Sequence, residues 1–247
     1  MKETLTSIKK TFKIINCFTE QESELSLAQI YKKTNISKPS ILRLCNTLLE
    51  EGFLAKDSES GKYRLGPKVL NLWQIYNANK TVLKDINTYL QKISEITQET
   101  VTIYKMDSLK RICIMRVDSP QFLKYSIPIG QTLSLHLGAG GKVILANLEK
   151  NLQVNYFEKL NLTSLYKNLE EFLASLLKIK KDGYYISKGE RDQFLAAAAV
   201  PLFKDGEIFG SLSISGPKDR FIGNFSSKKL HLLIQSGELI SKLIKFL

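Results

Sequence analysis

Between Leu5 and Leu65 the chain sets three helical stripes and a hairpin inside about 60 residues, and this order of elements narrows the fold more than any other feature. Apolar residues recur at Leu5, Ile8, Phe12, Ile15 and Phe18, the spacing of one helix face. A polar loop, Glu20 to Glu24, follows. Ser26-Leu27-Ala28-Gln29 is a capping box, in which the serine hydroxyl takes the Gln29 backbone N–H and the glutamine reaches back. The helix it opens runs through Ile30 and Tyr31 to Thr34, and Asn35 suits the left-handed residue that ends it. A third helix starts at Ser37, a good N-cap, with Pro39 in the first turn, where backbone N–H groups lack intrahelical partners. Its apolar stripe is Ile41, Leu44, Cys45, Leu48 and Leu49, and Gly52 stops it. Phe53–Lys56 and Lys62–Leu65 read as short strands joined by Asp57-Ser58-Glu59-Ser60-Gly61, and Gly66-Pro67 breaks the chain.

These elements spell a winged helix-turn-helix. The third helix turns Ser40, Arg43, Asn46 and Thr47 away from its apolar side, and small or long polar residues are what a helix entering the major groove needs. The second hairpin strand, Lys62-Tyr63-Arg64, supplies cations for the phosphate backbone with one aromatic interleaved. The candidate DNA contacts are Ser26, Ser37, Lys38, Ser40, Arg43, Thr47, Lys62, Tyr63 and Arg64. Charge is a weaker signal. The net +12 is spread as 13 basic against 8 acidic residues in 1–80 and 23 against 16 beyond, with lysine outnumbering arginine 30 to 6. A basic balance suits a polyanionic partner without singling one out.

Residues 67–80, with Val69, Leu70, Leu72, Trp73 and Ile75, read as a connecting helix, with Asn77-Ala78-Asn79 as a break. Val82, Ile86, Leu90, Ile93 and Ile96 form another helical stripe. The pattern then turns β-like at Thr100–Met106, Arg111–Val117 and Phe122–Ile127. Gly138-Ala139-Gly140-Gly141 opens a helix through Leu148, and more helix follows to about Lys181. Strands are expected near Tyr184–Ser187, Leu195–Phe203 and Glu207–Ser215, and an amphipathic helix at Ser226–Phe246. Strands flanked by helices make the second part α+β.

Several chemistries are disfavoured. No apolar run approaches the ~18 residues of a transmembrane helix. MKETLTSIKK lacks the apolar stretch of a signal peptide, so a soluble, cytoplasmic protein with no membrane partner is expected. Cys17, Cys45 and Cys113 form no CxxC and read as small buried hydrophobes. With only His136 and His231, metal sites and His-based nucleophile relays are poorly supplied, and no catalytic, cofactor or metal residues are expected. Gly138–Lys142 fails the Walker pattern at His136 and Val143, although a helix start with small residues still offers N–H groups to an anion. His136 reads as a hydrogen-bonded residue positioning this turn. Ser213 and Ser215 alternate on a strand, so both face one side, either exposed or lining a polar cavity. Glu190 and Asp192 flank Arg191 in what reads as a solvated turn.

The chain resembles the IclR-type bacterial transcriptional regulators along nearly its whole length. In the first part the likeness lies in Leu27-Ala28-Gln29-Ile30, Ile36-Ser37-Lys38-Pro39-Ser40-Ile41-Leu42-Arg43-Leu44 and Gly61-Lys62-Tyr63-Arg64-Leu65-Gly66. In the second it lies in Glu99-Thr100-Val101, Arg116-Val117-Asp118-Ser119-Pro120, Leu135-His136 with Gly141-Lys142, and Asp182-Gly183-Tyr184. It continues through Ala199-Val200-Pro201-Leu202-Phe203 and Ser213-Ile214-Ser215-Gly216-Pro217.

The resemblance implies a winged helix-turn-helix DNA-binding domain at 1–66, a linker helix at 67–80 and a GAF-like mixed α/β effector-binding domain at 81–247. It implies a non-enzymatic regulator, a dimer or dimer of dimers on a palindromic operator, controlled by a small organic acid such as glyoxylate or pyruvate. Its effector-binding positions fall on Ala139, Gly140, Ser187, Ala197, Ser213 and Ser215. Two departures stand out. Ser187-Lys188 replaces the Asp-Asp of many relatives, and Ala196, in the run Ala196–Ala199, replaces an arginine. An apolar wall from that run would suit an acid more apolar than glyoxylate. The rival class is an enzyme or a small-molecule-binding GAF-like module with an incidental winged helix. The lack of a second titratable group near His136, and of a nucleophile–base pair, separates the two.

Overall fold

In the computed structural model, which describes residues 6–19, 21–76 and 80–245, the chain divides into two units, 1–78 and 79–247. Leu5, Glu20, the Asn77-Ala78-Asn79 break and Phe246 lie outside the described residues.

The first unit contains α1 (Thr6–Ile15), β1 (Glu24–Leu25), α2 (Leu27–Thr34), α3 (Lys38–Glu50), β2 (Leu54–Lys56), β3 (Tyr63–Leu65) and α4 (Lys68–Tyr76). The capping box forms at the start of α2: Gln29 N–H donates to Ser26 Oγ at 3.3 Å, and Ser26 N–H donates to Gln29 Oε1 at 2.8 Å. Asn35 ends the helix at φ 54°. Ser37 precedes α3 but makes no side-chain cap; its hydroxyl donates to Ser40 Oγ at 2.9 Å instead.

The segment read as a loop before Ser26 supplies β1, so the hairpin becomes a three-stranded sheet in the order β1-β3-β2. Glu24 pairs with Arg64 and Leu25 with Tyr63. Leu25 thereby joins Ile14, Ile30, Ile41, Cys45 and Tyr63 in the core. In α1 it is Ile14 that is buried, while Ile8 and Phe12 of the expected stripe are exposed.

The second unit opens with α5 (Lys80–Thr97), β4 (Thr100–Asp107), β5 (Lys110–Val117) and β6 (Thr132–Ser134). It continues through α6 (Ala139–Ala146), α7 (Lys150–Leu160), a 3-10 turn at Leu162–Ser164 and α8 (Leu169–Asp182). It closes with β7 (Tyr185–Lys188), β8 (Leu195–Lys204), β9 (Glu207–Pro217), α9 (Lys218–Asn224) and α10 (Ser227–Ile244). The strands form one antiparallel sheet in the order β6-β5-β4-β9-β8-β7.

Each face of the sheet carries its own core. Ala197 and Ala199 of β8 face α6, α7 and α8 with Val143, Phe157 and Phe172. Ala196 and Ala198 face α5 and α10 with Leu90, Leu233 and Ile240. Alternation along a strand puts neighbours on opposite faces, so the four alanines do not form one wall.

Residues 122–127 are not a strand. Side-chain bonds hold the segment in place of ladder bonds: Arg116 Nη1 donates to Ile127 O at 2.6 Å, and Ser126 Oγ to Asp118 Oδ1 at 2.9 Å. The sheet edge is β6 instead. The helix expected to run to Lys181 is broken at Asn161, at φ 45°, and restarts at Asn168, whose side chain caps Glu171 N–H at 2.8 Å. No helix among the described residues is long and apolar enough to cross a membrane.

Candidate functional site

Three strands and one helix start converge in the second unit. Ser187, Ala197 and Ser215 lie in one row across β7, β8 and β9, and Ser213 pairs with Ala199 one step along. The glycine-rich turn lies over this row, with Gly138 at φ 77° and α6 beginning at Ala139. The six residues expected there, Ala139, Gly140, Ser187, Ala197, Ser213 and Ser215, line one cavity together with Tyr104, Arg111, Gly138, Glu190, Arg191 and Leu195. The cavity is narrow, with about 20 Å³ of free space at its centre.

Arg111 was not among the residues expected at the cavity. It lies in β5, 2% exposed, with its guanidinium 4.7 Å from the Tyr104 ring centroid. Its Nη2 donates to Leu137 O at 3.0 Å, while Nε and Nη1 are buried without a partner. Burial pulls its pKa down to about 10, against the attraction of Tyr104, so the group still carries its charge at neutral pH. Arg191 stacks 4.8 Å over the Tyr125 ring, and its buried Nε also has no partner. Gly141 is what lets Arg111 lie under the turn: a Cβ there would fall 2.7 Å from Nη1 and 2.4 Å from Leu135 O. The signal in the sequence was scarcity. With six arginines to thirty lysines, an arginine inside a β-like run asks for a reason.

Glu190 is not a solvated turn residue. Its Oε1 accepts from Tyr185 Oη at 2.6 Å and pairs with Lys142 Nζ at 3.0 Å, and its Oε2 accepts the Gly138 N–H at 3.1 Å. Burial works against the Lys142 charge, but Glu190 outweighs it and holds the ammonium pKa above its ordinary value. Asp192 does act in a turn, accepting the Phe194 N–H at 2.9 Å. Ser187 accepts the Ala139 N–H at 3.1 Å, so two N–H groups of the turn are already engaged by side chains. Ala196 faces the opposite core and opens no space in the cavity.

His136 positions the turn through Tyr156, whose hydroxyl lies 3.0 Å from His136 Nδ1 and accepts the Leu135 N–H at 2.9 Å. Burial, then Lys142 and Arg111, lower the imidazole pKa.

In the first unit, Ser37, Lys38, Arg43 and Thr47 are exposed on α3 or at its start, and Lys62 and Arg64 are exposed on the wing. Lys38 Nζ lies 5.8 Å from the ring centroid of Tyr31, an exposed aromatic on α2. Tyr63 is a correction. It is 2% exposed in the core, with Lys56 Nζ over its ring at 5.3 Å, and cannot stack on a nucleic acid. Ser26 spends its hydroxyl on the capping box.

Residues 74–242 match the family model for the bacterial transcriptional regulator IclR C-terminal domain, and residues 7–58 match the IclR helix-turn-helix domain. The HTH-type transcriptional regulator KdgR of Dickeya chrysanthemi is 28% identical over 89% of this chain and 73% of its own. XynR of Escherichia coli (strain K12) is 24% identical over 97% of each. Among solved structures, the IclR protein of Thermotoga maritima superposes with a TM-score of 0.76 at 23% identity, over 98% of this chain and all of its own. An IclR homologue of Microbacterium hydrocarbonoxydans, complexed with 4-hydroxybenzoate, superposes with a TM-score of 0.78 at 15% identity, over 97% of this chain and 99% of its own.

Proposed function

The chain belongs to the IclR family of bacterial transcriptional regulators, and we propose that it couples operator binding by residues 1–66 to occupancy of the Arg111 cavity by a small organic acid. In this reading, residues 67–80 link a DNA reader to a GAF-like effector-binding module at 81–247. Arg111 carries the proposal: it is a buried cation with two unmade hydrogen bonds facing a cavity. Buried charges are normally paired, and a guanidinium fork matches a carboxylate with two parallel bonds. The Microbacterium homologue's complex with 4-hydroxybenzoate, itself an acid, supports the ligand class.

The ligand we infer is more polar than the apolar acid that the alanine run suggested. Only Ala197 of Ala196–Ala199 lines the cavity, while two arginines line it. The effector acts by binding two states of the regulator with different affinity; equal affinity would shift nothing. On the DNA side, Ser40, Arg43 and Thr47 of α3 read base edges, while Ser37, Lys38, Lys62 and Arg64 hold phosphates. A palindromic operator requires at least two copies, as a dimer or dimer of dimers.

The test is fluorescence anisotropy of the full chain on DNA from upstream of its own coding sequence, with and without a panel of small carboxylates. At least one acid should shift the DNA affinity, and Arg111→Gln should abolish that shift while leaving acid-free binding in place. If no acid in the panel moves the affinity, or if the variant responds like the parent, the proposal is wrong.

A further inference from the structure

Resting on the reading of the cavity as an acid site, we propose that its ligand is a compact dianion, with one charge met by Arg111 and the other by Arg191. The charge balance of the site motivates this. Lys142 is neutralised by Glu190 at 3.0 Å, which leaves Arg111 and Arg191 as the uncompensated charges of the lining. The unit's other arginines each hold an acid: Arg116 lies on Asp118 at 2.7 Å, and Arg220 on Glu99 at 2.6 Å. Glu190 lies near enough to Arg111 to favour its charge slightly, but its hydrogen bonds go to Lys142, Tyr185 and Gly138.

The helix start supplies little of the missing anion contact, leaving only the Gly140 N–H among its first donors. Its Gly138 and Ala139 N–H groups already donate to Glu190 and Ser187. The ligand's charge is therefore met mainly by guanidinium groups, and each has a buried, unpartnered donor: Nε and Nη1 on Arg111, Nε on Arg191. A monoanion would leave one of these two neighbouring cations, Arg111 buried and Arg191 partly exposed, without a counter-charge. A dianion satisfies both, and the hydroxyls of Ser213 and Ser215 can donate to its remaining oxygens. So narrow a cavity favours two charges held close together on a short spacer.

Titration calorimetry of the full chain at pH 8 and constant ionic strength tests this. The probes are malonate, succinate, inorganic phosphate, acetate and malonamate, the last matching malonate in size with one charge. At least one dianion should bind tenfold or more tightly than malonamate and acetate. Tightest binding by malonate or succinate assigns a dicarboxylate, and tightest binding by phosphate assigns a phosphate-bearing acid. Arg191→Gln, at a partly exposed position that folding tolerates better than Arg111, should bring the dianions to within about twofold of the monoanions. If malonamate or acetate binds the parent as tightly as every dianion, the dianion inference falls and the acid site stands. If no probe binds at all, both fall.

Discussion

Arg220 grips Glu99 with two parallel bonds, Nε to Oε1 at 2.9 Å and Nη2 to Oε2 at 2.6 Å, across 121 residues of chain. Glu99 is 4% exposed and starts the edge on which β4 meets β9. Gly216 makes room for the pair, since a Cβ there would fall 2.0 Å from Glu99 Oε2. Removing one partner of a buried pair costs ~3–5 kcal/mol, less where water reaches the vacated side. Arg220 is partly exposed, so Arg220→Met should lose on the order of 2 kcal/mol in urea unfolding followed by circular dichroism. The Glu99→Gln, Arg220→Met double variant should lose less than the two single changes summed, because the residues couple directly.

Gly141→Ala should destabilise the protein, although Gly to Ala inside a helix ordinarily gains about 1 kcal/mol. The added methyl meets Leu135 O at 2.4 Å and Arg111 Nη1 at 2.7 Å. Overpacking of this kind costs ~1–3 kcal/mol. A raised unfolding midpoint would show that the turn yields freely.

Asp118 predicts a pH dependence. Burial raises its pKa, but hydrogen bonds from Lys124 and Ser126 and the charge of Arg116 outweigh burial, so the folded-state pKa lies below the ordinary value. A depressed carboxylate contributes stability above its unfolded pKa, near ~3.9, and loses it as pH falls through the folded value. Asp118→Asn should therefore cost at most about 1 kcal/mol at neutral pH, the cluster being partly exposed, and progressively less as pH falls through the folded value. A gap between parent and variant that persists unchanged in acid would contradict this.

Arg43→Ala should lose base preference worth ~1–3 kcal/mol, whereas Lys62→Ala should weaken binding to every DNA sequence and lower the salt slope by about one. Tyr63→Ala should act differently, unfolding or softening the first unit at a cost of ~3–5 kcal/mol before DNA is involved. Anisotropy titrations at several salt concentrations, alongside thermal melts, separate the three.

Leu70, Leu72, Trp73 and Ile75 of α4 are all exposed, Trp73 at 60%. An apolar cluster of this kind marks an interaction surface. Light scattering at micromolar concentration should give a dimer or tetramer, and Trp73→Glu should shift it toward monomer and weaken binding to a palindrome more than to a half-site. A monomeric parent that binds the palindrome tightly would count against the assembly.

The local rules were legible in the residues. The capping box at Ser26, the left-handed stop at Asn35 and the shared side of Ser213 and Ser215 all follow from neighbours a few positions apart. The opposite facing of Ala196 and Ala197 follows from the same period of two. By itself the sequence determined most of the elements and their order, because helical and extended backbones repeat every 3.6 and 2 residues, though not the strands at Glu24–Leu25 and Thr132–Ser134, and the resemblance implied the small residues that wall the cavity. The tertiary structure alone decided that Tyr63 is core, that Glu190 reaches back to Gly138 and Lys142, and that Arg111 ends beneath the turn with two donors free. Those contacts join segments 26 to 52 residues apart. They depend on which strands become neighbours in the sheet, and no local periodicity carries that information.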